Sequence, residues 1–256
     1  VETADTSISM PQVVLGDTRS ALLQVGRAWR KQFDIPVVAV AGSNGKTTTK
    51  EMIAAIFASW KGESHRLATQ GNLNNELGVP LTLLRLNENH HAAVIEMGMN
   101  HPGEIDVLAR TTEPTAALVN NAQREHQEFM ATVAAVAQEH ADVIRSLPEN
   151  GIAVFPADSE FTSVWREAAG KRKVIDFELL TTQANSEAFV SGRLLSNGLL
   201  EVITKNQAIQ VRLNTLGDHN ARNALAASAV AIAAGIPFEK IQQGLELFAP
   251  VNGRMQ

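Results

Sequence analysis

One stretch restricts the fold more than any other. Residues 35–41, ending in Val37-Val38-Ala39-Val40-Ala41, are apolar without alternation and rich in β-branched side chains. That pattern describes a strand buried on both faces. Gly42-Ser43-Asn44-Gly45 follows as a turn. Lys46-Thr47-Thr48-Thr49 then opens a segment, 46–60, in which Met52, Ile53, Ile56, Phe57 and Trp60 recur at helical spacing. Strand, glycine turn and helix start, in that order, make a cradle for phosphate. Glycines admit backbone angles that turn N–H groups inward, and a helix N-terminus adds donors and partial positive charge. Lys46 would reach the phosphates, and Thr47 would offer its hydroxyl to Mg²⁺. The spacing is a variant: the common loop has its first glycine five residues before the second, where this chain has Val40. Here the glycine is Gly42, three before Gly45. The competing reading is an ordinary strand-to-helix turn with an exposed lysine.

The alternation continues downstream. Periodicity predicts helices over 76–85, 102–110, 132–147 and 160–169, and strands over 92–96, 115–120, 151–155 and 173–177. The pattern then changes. Residues 188–195, 198–204 and 207–213 predict a meander of short antiparallel strands, with Ser196-Asn197-Gly198 as a turn. Two closing helices are predicted over 220–234 and 238–248, separated by Gly235-Ile236-Pro237. Ahead of the loop, 1–33 form a lead segment, with a short strand within 11–17 and a helix over 18–31. Leu22, Leu23, Val25, Ala28 and Trp29 are expected on the apolar side of that helix. The expected fold class is α/β: a mostly parallel sheet flanked by helices, carrying a phosphate loop, plus a small antiparallel strand meander.

Composition removes several function classes. Of 256 residues, 45% are apolar and 19% charged, enough to build a core. Lys and Arg number 22 against 27 Asp and Glu, a net charge of −5 with no basic run, which argues against a nucleic-acid partner. The absence of cysteine excludes disulfides, thiolate zinc sites and cysteine nucleophiles, and fits a reducing, cytoplasmic compartment. No stretch of about 20 apolar residues is present, so no transmembrane helix and no membrane insertion are expected. Val1-Glu2-Thr3-Ala4-Asp5 lacks the basic-then-apolar pattern of a signal peptide. With no initiator Met and no closing element around Gly253-Arg254-Met255-Gln256, the chain is expected to be a piece of a longer protein, and a monomer.

Gly42-Ser43-Asn44-Gly45-Lys46-Thr47-Thr48 resembles the ATP loop of the Mur ligases and the folylpolyglutamate synthases, which are ATP-dependent acid–amine ligases. Further blocks, in family order, point to the Mur ligases and to their D-alanyl-D-alanine-adding branch. They are Gly71-Asn72-Leu73-Asn74-Asn75-Glu76-Leu77-Gly78-Val79-Pro80, Ile95-Glu96-Met97-Gly98 with His101-Pro102-Gly103-Glu104, Leu216-Gly217-Asp218-His219-Asn220-Ala221-Arg222-Asn223-Ala224, and Pro250-Val251-Asn252-Gly253-Arg254. The resemblance implies that 1–33 are the tail of an N-terminal substrate domain and its linker. Residues 34–256 would be the central ATP-binding domain, with the C-terminal domain absent. It implies ATP and Mg²⁺ as cofactors, and UDP-N-acetylmuramoyl-tripeptide and D-alanyl-D-alanine as substrates joined through an acyl phosphate.

The same resemblance distributes roles. Gly42, Ser43, Asn44, Gly45, Lys46, Thr47, Thr48, His219, Asn220 and Arg254 would hold the nucleotide. Thr47, Glu96 and His126 would hold metal ions, Lys46 and His126 would be catalytic, and Asn72, Asn74 and Asn75 would face the UDP-sugar peptide. Asn220 also reads as a plain helix N-cap, and the three asparagines as a loop folded by its own turns. One position departs from the family. Asn120-Asn121-Ala122-Gln123-Arg124-Glu125-His126 keeps the family's Asn-Asn-x-x-x-x-His spacing, and most members carry a carbamylated lysine on the helix that follows; here that position is His140, and no lysine occurs between Lys61 and Lys171. His140 is either a packed histidine or, with Glu139 or Glu125, a partial substitute for the lost anion. The alternatives to a Mur ligase are a folylpolyglutamate synthase-like enzyme and a nucleotide-binding loop protein without ligation.

Overall fold

The apolar run after residue 36 is a strand with both faces covered. In the computed structural model, which describes residues 1–125, 130–181, 186–214 and 217–249, the elements run α1 (Thr18–Arg30), β1 (Val37–Ala41), α2 (Lys46–Lys61), β2 (Arg66–Ala68), α3 (Gly78–Leu83), β3 (Ala92–Glu96), α4 (Glu104–Thr112), β4 (Ala116–Val119), α5 (Val133–Arg145), β5 (Ile152–Pro156), α6 (Thr162–Ala169), β6 (Lys173–Leu179), β7 (Val190–Leu194), β8 (Leu200–Ile203), β9 (Ala208–Val211), α7 (Asp218–Ala233) and α8 (Phe238–Leu247). The strands form one sheet in the order β2-β3-β1-β4-β5-β6-β7-β8-β9. Pairing is parallel from β2 to β7 and antiparallel across β7, β8 and β9.

The side-chain period of two splits the core. Val38 and Val40 face a cluster built by α2, α7 and α8. Val37, Ala39 and Ala41 face a second cluster built by α3, α4, α5 and α6. A five-residue strand with no exposed side chain therefore has helices on both sides, as parallel crossovers require. α7 is rich in alanine, so it lies close to the sheet, and the buried Ser228 hydroxyl bonds back to Ala224 O at 2.8 Å. Among the described residues no helix is long and apolar enough to cross a membrane.

Several expectations change. Residues 11–17 form no strand. Apart from half-buried Gln12 they run exposed, with Val13 71% accessible, and the backbone bonds they exchange with Val1 (Leu15 N to Val1 O, 2.9 Å; Val1 N to Val13 O, 3.1 Å) are too few to make a ladder. The helix at 18–31 buries Gly26 and Arg30 and half-buries Leu22 and Leu23; Val25 and Ala28 stay exposed, and Trp29, 36% exposed, donates from Nε1 to Leu86 O at 3.0 Å. Its contact is set by backbone proximity: a Cβ on Gly26 would come within 2.7 Å of Pro80 Cβ in α3. The predicted meander is antiparallel, but β7 also pairs in parallel with β6, so it extends the main sheet. β2, only three residues long, carries too little periodicity to be read in advance.

The helix behind the phosphate loop is held by close backbone contact. A Cβ on Gly244 of α8 would come within 2.4 Å of Ile56 Cα and 2.7 Å of Ile56 N in α2. Gly→Ala in an open helix gains about 1 kcal/mol. Here backbone overlap cannot relax by a rotamer change, and overpacking costs about 1–3 kcal/mol or more. We expect Gly244→Ala to lower the urea midpoint at unchanged m-value.

Candidate functional site

The loop 42–45 leaves the carboxyl end of β1 between the ends of β3 and β4. The chain's crossovers change direction there, which is where open α/β sheets bind ligands. Gly42 has φ 133° and Gly45 has φ 75°. A Cβ at Gly42 would meet the backbone nitrogens of Asn120 and Asn121 at 3.0 Å, and one at Gly45 would stand 2.5 Å from Asn223 Oδ1. Both positions thus need glycine for dihedral and for space.

Asparagines fasten this loop. Asn120 Nδ2 donates to Asn44 O (2.8 Å) and to Asn223 Oδ1 (3.1 Å), tying β1, β4 and α7 together. Asn121 Nδ2 donates to Asn44 O (2.9 Å), and its Oδ1 accepts from Asn44 N (2.9 Å). Ser43 N donates to Asn121 O, and Ser43 Oγ exchanges hydrogen bonds with the Gln123 backbone. The amides of Ser43 and Asn44 therefore hold the loop, and the main-chain donors offered to an anion begin at Gly45 and the first turn of α2. That turn has Gly45 as N-cap, no side-chain cap and no acidic residue, so the helix presents its positive end. Lys46 Nζ donates to Gly42 O and to Ser43 O (3.0 Å), folded along the loop.

Glu96 ends β3 one strand away, in register with Val40. It is 2% exposed. Its Oε1 accepts from Thr47 Oγ1 (3.1 Å) and from Asn74 Nδ2 (2.9 Å), and its Oε2 is buried with no hydrogen-bond partner among the described residues. A buried carboxylate oxygen left unsatisfied is costly unless a ligand completes it. A hydroxyl and a carboxylate are the hard oxygen donors that Mg²⁺ takes, and that ion keeps water and phosphate oxygens for its remaining positions. No group of three or more His, Asp or Glu able to hold a metal ion occurs among the described residues, and such a site does not need one.

The other predicted residues divide. Asn74 faces Glu96. Asn75 Oδ1 accepts from Leu77 N (3.2 Å) and Gly78 N (2.9 Å), so it folds its own loop and caps α3. Asn72 is exposed. Asn220 is the third residue of α7 and not its N-cap, which is Gly217. His219 and Asn220 precede Asn223 by four and three residues, which puts them on the helix side that meets the loop. Thr48 lies in the first turn of α2. His126 and Arg254 lie outside the described residues.

Asn120, Asn121, Gln123 and Asn223 were not singled out from sequence as site residues. The pair of asparagines after an apolar strand is the one signal that could have flagged them; their partners on the loop are 76 or more residues away. Beyond them, His140 of α5 is 1% exposed and its Nε2 lies 2.8 Å from Glu125 Oε1. The other Glu125 oxygen stands 4.0 Å from Lys46 Nζ. Burial pushes the His140 imidazole below 6.5 and outweighs the pull of Glu125. Burial raises the Glu125 carboxyl, but the hydrogen bond from His140, followed by the nearby Lys46 ammonium and a hydrogen bond from the Ser43 side chain, holds it below 4.5. A neutral imidazole thus donates from Nε2 to a carboxylate. Glu139 is occupied elsewhere, accepting from Gly103 N and Ile105 N at the start of α4 (2.9 and 3.1 Å).

Comparison with known proteins places this geometry. Residues 40–231 match the family model described as Mur ligase middle domain. UDP-N-acetylmuramoyl-tripeptide–D-alanyl-D-alanine ligase of Escherichia coli is 40% identical over 250 residues, covering 97% of the chain and 54% of that protein. The crystal structure of MurF from Acinetobacter baumannii superposes with a TM-score of 0.90 at 35% identity, over all of this chain and 55% of that one. MurF of Thermotoga maritima in complex with ADP gives 0.82 at 24% identity, over 98% of this chain and 57% of that one, a likeness of fold. The chain spans about half the length of the relatives it matches.

Two outcomes follow from the bonds above. Asn120→Ala removes the amide that joins Asn44 to Asn223. It should lower stability by about 1–3 kcal/mol, and calorimetric titration should show weakened binding of an ATP analogue. Because His140 has a folded-state pKa below its unfolded 6.5, the unfolded chain binds the extra proton as pH falls. Stability should therefore drop below pH 6.5 by up to about 1.4 kcal/mol per pH unit, and urea titrations of His140→Gln should lose that component.

Proposed function

This chain belongs to the Mur ligase family, and from that premise we propose that it is the ATP-binding part of a ligase joining D-alanyl-D-alanine to UDP-N-acetylmuramoyl-tripeptide. The observation that carries the reading is Glu96. Its unsatisfied buried oxygen stands beside Thr47 at the uncapped N-terminus of α2, the pairing of anion-binding and cation-binding groups that a nucleoside triphosphate with its metal ion needs. In this reading 1–33 are the tail of a preceding substrate domain and its linker, and 34–256 the central domain.

A carboxylate does not acylate an amine directly, because oxide is a poor leaving group. Transfer of the γ-phosphoryl group to the carboxylate of the tripeptide gives an acyl phosphate. The D-alanyl-D-alanine amine then attacks its carbonyl, and phosphate leaves with the bond electrons. Gly45 and the first turn of α2 orient the phosphates through N–H donors, and Lys46 leaves the carbonyls of Gly42 and Ser43 to neutralise charge on the moving group. Thr47 and Glu96 would hold Mg²⁺, which would supply positive charge to offset that of the phosphates. Asn220 and His219, with Arg254, would meet the base and sugar of the nucleotide, and His126 a second metal ion. Asn72, on the exposed side of its loop, is the asparagine of that block left to the UDP-sugar peptide. Asn74 joins the same block to Glu96, so peptide-side and metal-side groups share one network. That connection favours the muramoyl-peptide reading over a folate substrate or a loop without ligation.

In the intact protein, Lys46→Ala should lower kcat about 100-fold or more, measured as phosphate release dependent on both peptide substrates. Glu96→Gln should raise the Mg²⁺ concentration needed for half-maximal rate, and chelation by EDTA should abolish turnover. Unchanged Mg²⁺ dependence in Glu96→Gln would overturn the metal assignment.

A further inference from the structure

Resting on the ATP-site reading above, we propose that Glu125, anchored by His140, is a positioning residue that holds the Lys46 ammonium for phosphoryl transfer. The mechanism leaves one buried polar chain without a task. His140 sits in the apolar stripe of α5 with Val136 and Ile144, and its Nδ1 has no partner among the described residues. Its polar function is directed through Nε2 at Glu125 alone. Glu125 reaches three partners: Oε1 goes to the imidazole, Oε2 faces Lys46 at 4.0 Å, and the Ser43 side chain adds a hydrogen bond that fixes the carboxylate against the loop. Both side chains of that ion pair are largely shielded, 17% and 13% exposed.

A carboxylate this close to a phosphate site repels the phosphate it is meant to admit. Its compensating effect falls on lysine, a flexible four-carbon stem ending in a rotating point charge. A carboxylate fixed from behind by a buried imidazole narrows the positions the ammonium can take. That narrowing helps a step in which charge must be met at one place. Glu125 therefore trades nucleotide affinity for rate, a signature that a merely structural residue does not produce.

The test uses the intact protein and two readouts: the dissociation constant of Mg²⁺ with adenylyl imidodiphosphate by calorimetry, and kcat for ligation. Glu125→Gln keeps shape and removes charge. It should bind the analogue as tightly as wild type or several-fold tighter, while kcat falls by about 10- to 100-fold, as loss of one shielded ion-pair contact to the Lys46 ammonium would give. His140→Leu should reproduce the rate loss, His140→Gln, which keeps a donor, should recover most of it, and the double variant should be no worse than Glu125→Gln. Three results would overturn the proposal: affinity and kcat falling together with the unfolding midpoint, an effect confined to Mg²⁺ dependence, or an unchanged kcat. Wild-type protein that fails to bind the analogue would remove the ATP-site reading itself, and this inference with it.

Discussion

The side-chain amide of Asn120 is the junction on which the site depends. A phosphate loop is a short run of backbone in an unfavourable conformation, and glycine alone makes it permissible without making it stay. Two hydrogen bonds from one buried nitrogen, to Asn44 O and to Asn223 Oδ1, fasten the turn after β1 to the end of β4 and to α7. Each contact is worth on the order of 1 kcal/mol. Their effect is larger than that sum because they set where the α2 N-terminus points. Gly42 and Gly45 are small for the same reason: the asparagines occupy the space a Cβ would need.

Charge is arranged around that junction on both sides. Glu96 comes from β3 and Glu125 follows β4, so the two strands flanking β1 each deliver a carboxylate toward the loop. Their roles diverge through their partners. Glu96 meets a hydroxyl and an amide and keeps one oxygen unsatisfied, which suits a hard cation. Glu125 meets an imidazole and an ammonium and has both oxygens engaged. Lys46 rests on the loop's own carbonyls, so in the proposed reading a phosphate would replace one set of oxygen partners with another.

Much of this was legible in the sequence, and the limits have physical causes. The strand at 37–41 declared itself because a run of β-branched residues without alternation fits only a two-sided burial. Helices α2, α5 and α8 did so through period and length. Lys46, Thr47 and Glu96 could be placed near one another because each sits at the end of a predictable element, while a metal-holding role for Glu96 came only from the family resemblance, since a lone strand-end carboxylate reads first as solvated. The bracing asparagines were not, because a hydrogen bond across 76 or 103 residues leaves no periodic trace. The face of α1 was read only in part, with Leu22, Leu23 and Trp29 partly covered but Val25 and Ala28 exposed, for a related reason. Its contact is made by the absence of a side chain at Gly26, which a count of apolar residues cannot register.

Local chemistry along the chain determined the class of architecture, the position of the phosphate loop and the residue types able to serve it, since backbone propensity and burial act over a few residues. Tertiary structure alone decided that Asn74 turns to Glu96, that Asn75 caps a helix, and that His140 backs Glu125 against Lys46. Those choices follow from strand order: β1 is threaded between β3 and β4, and only that pairing brings side chains remote in sequence within the 3 to 4 Å at which hydrogen bonds and ion pairs act.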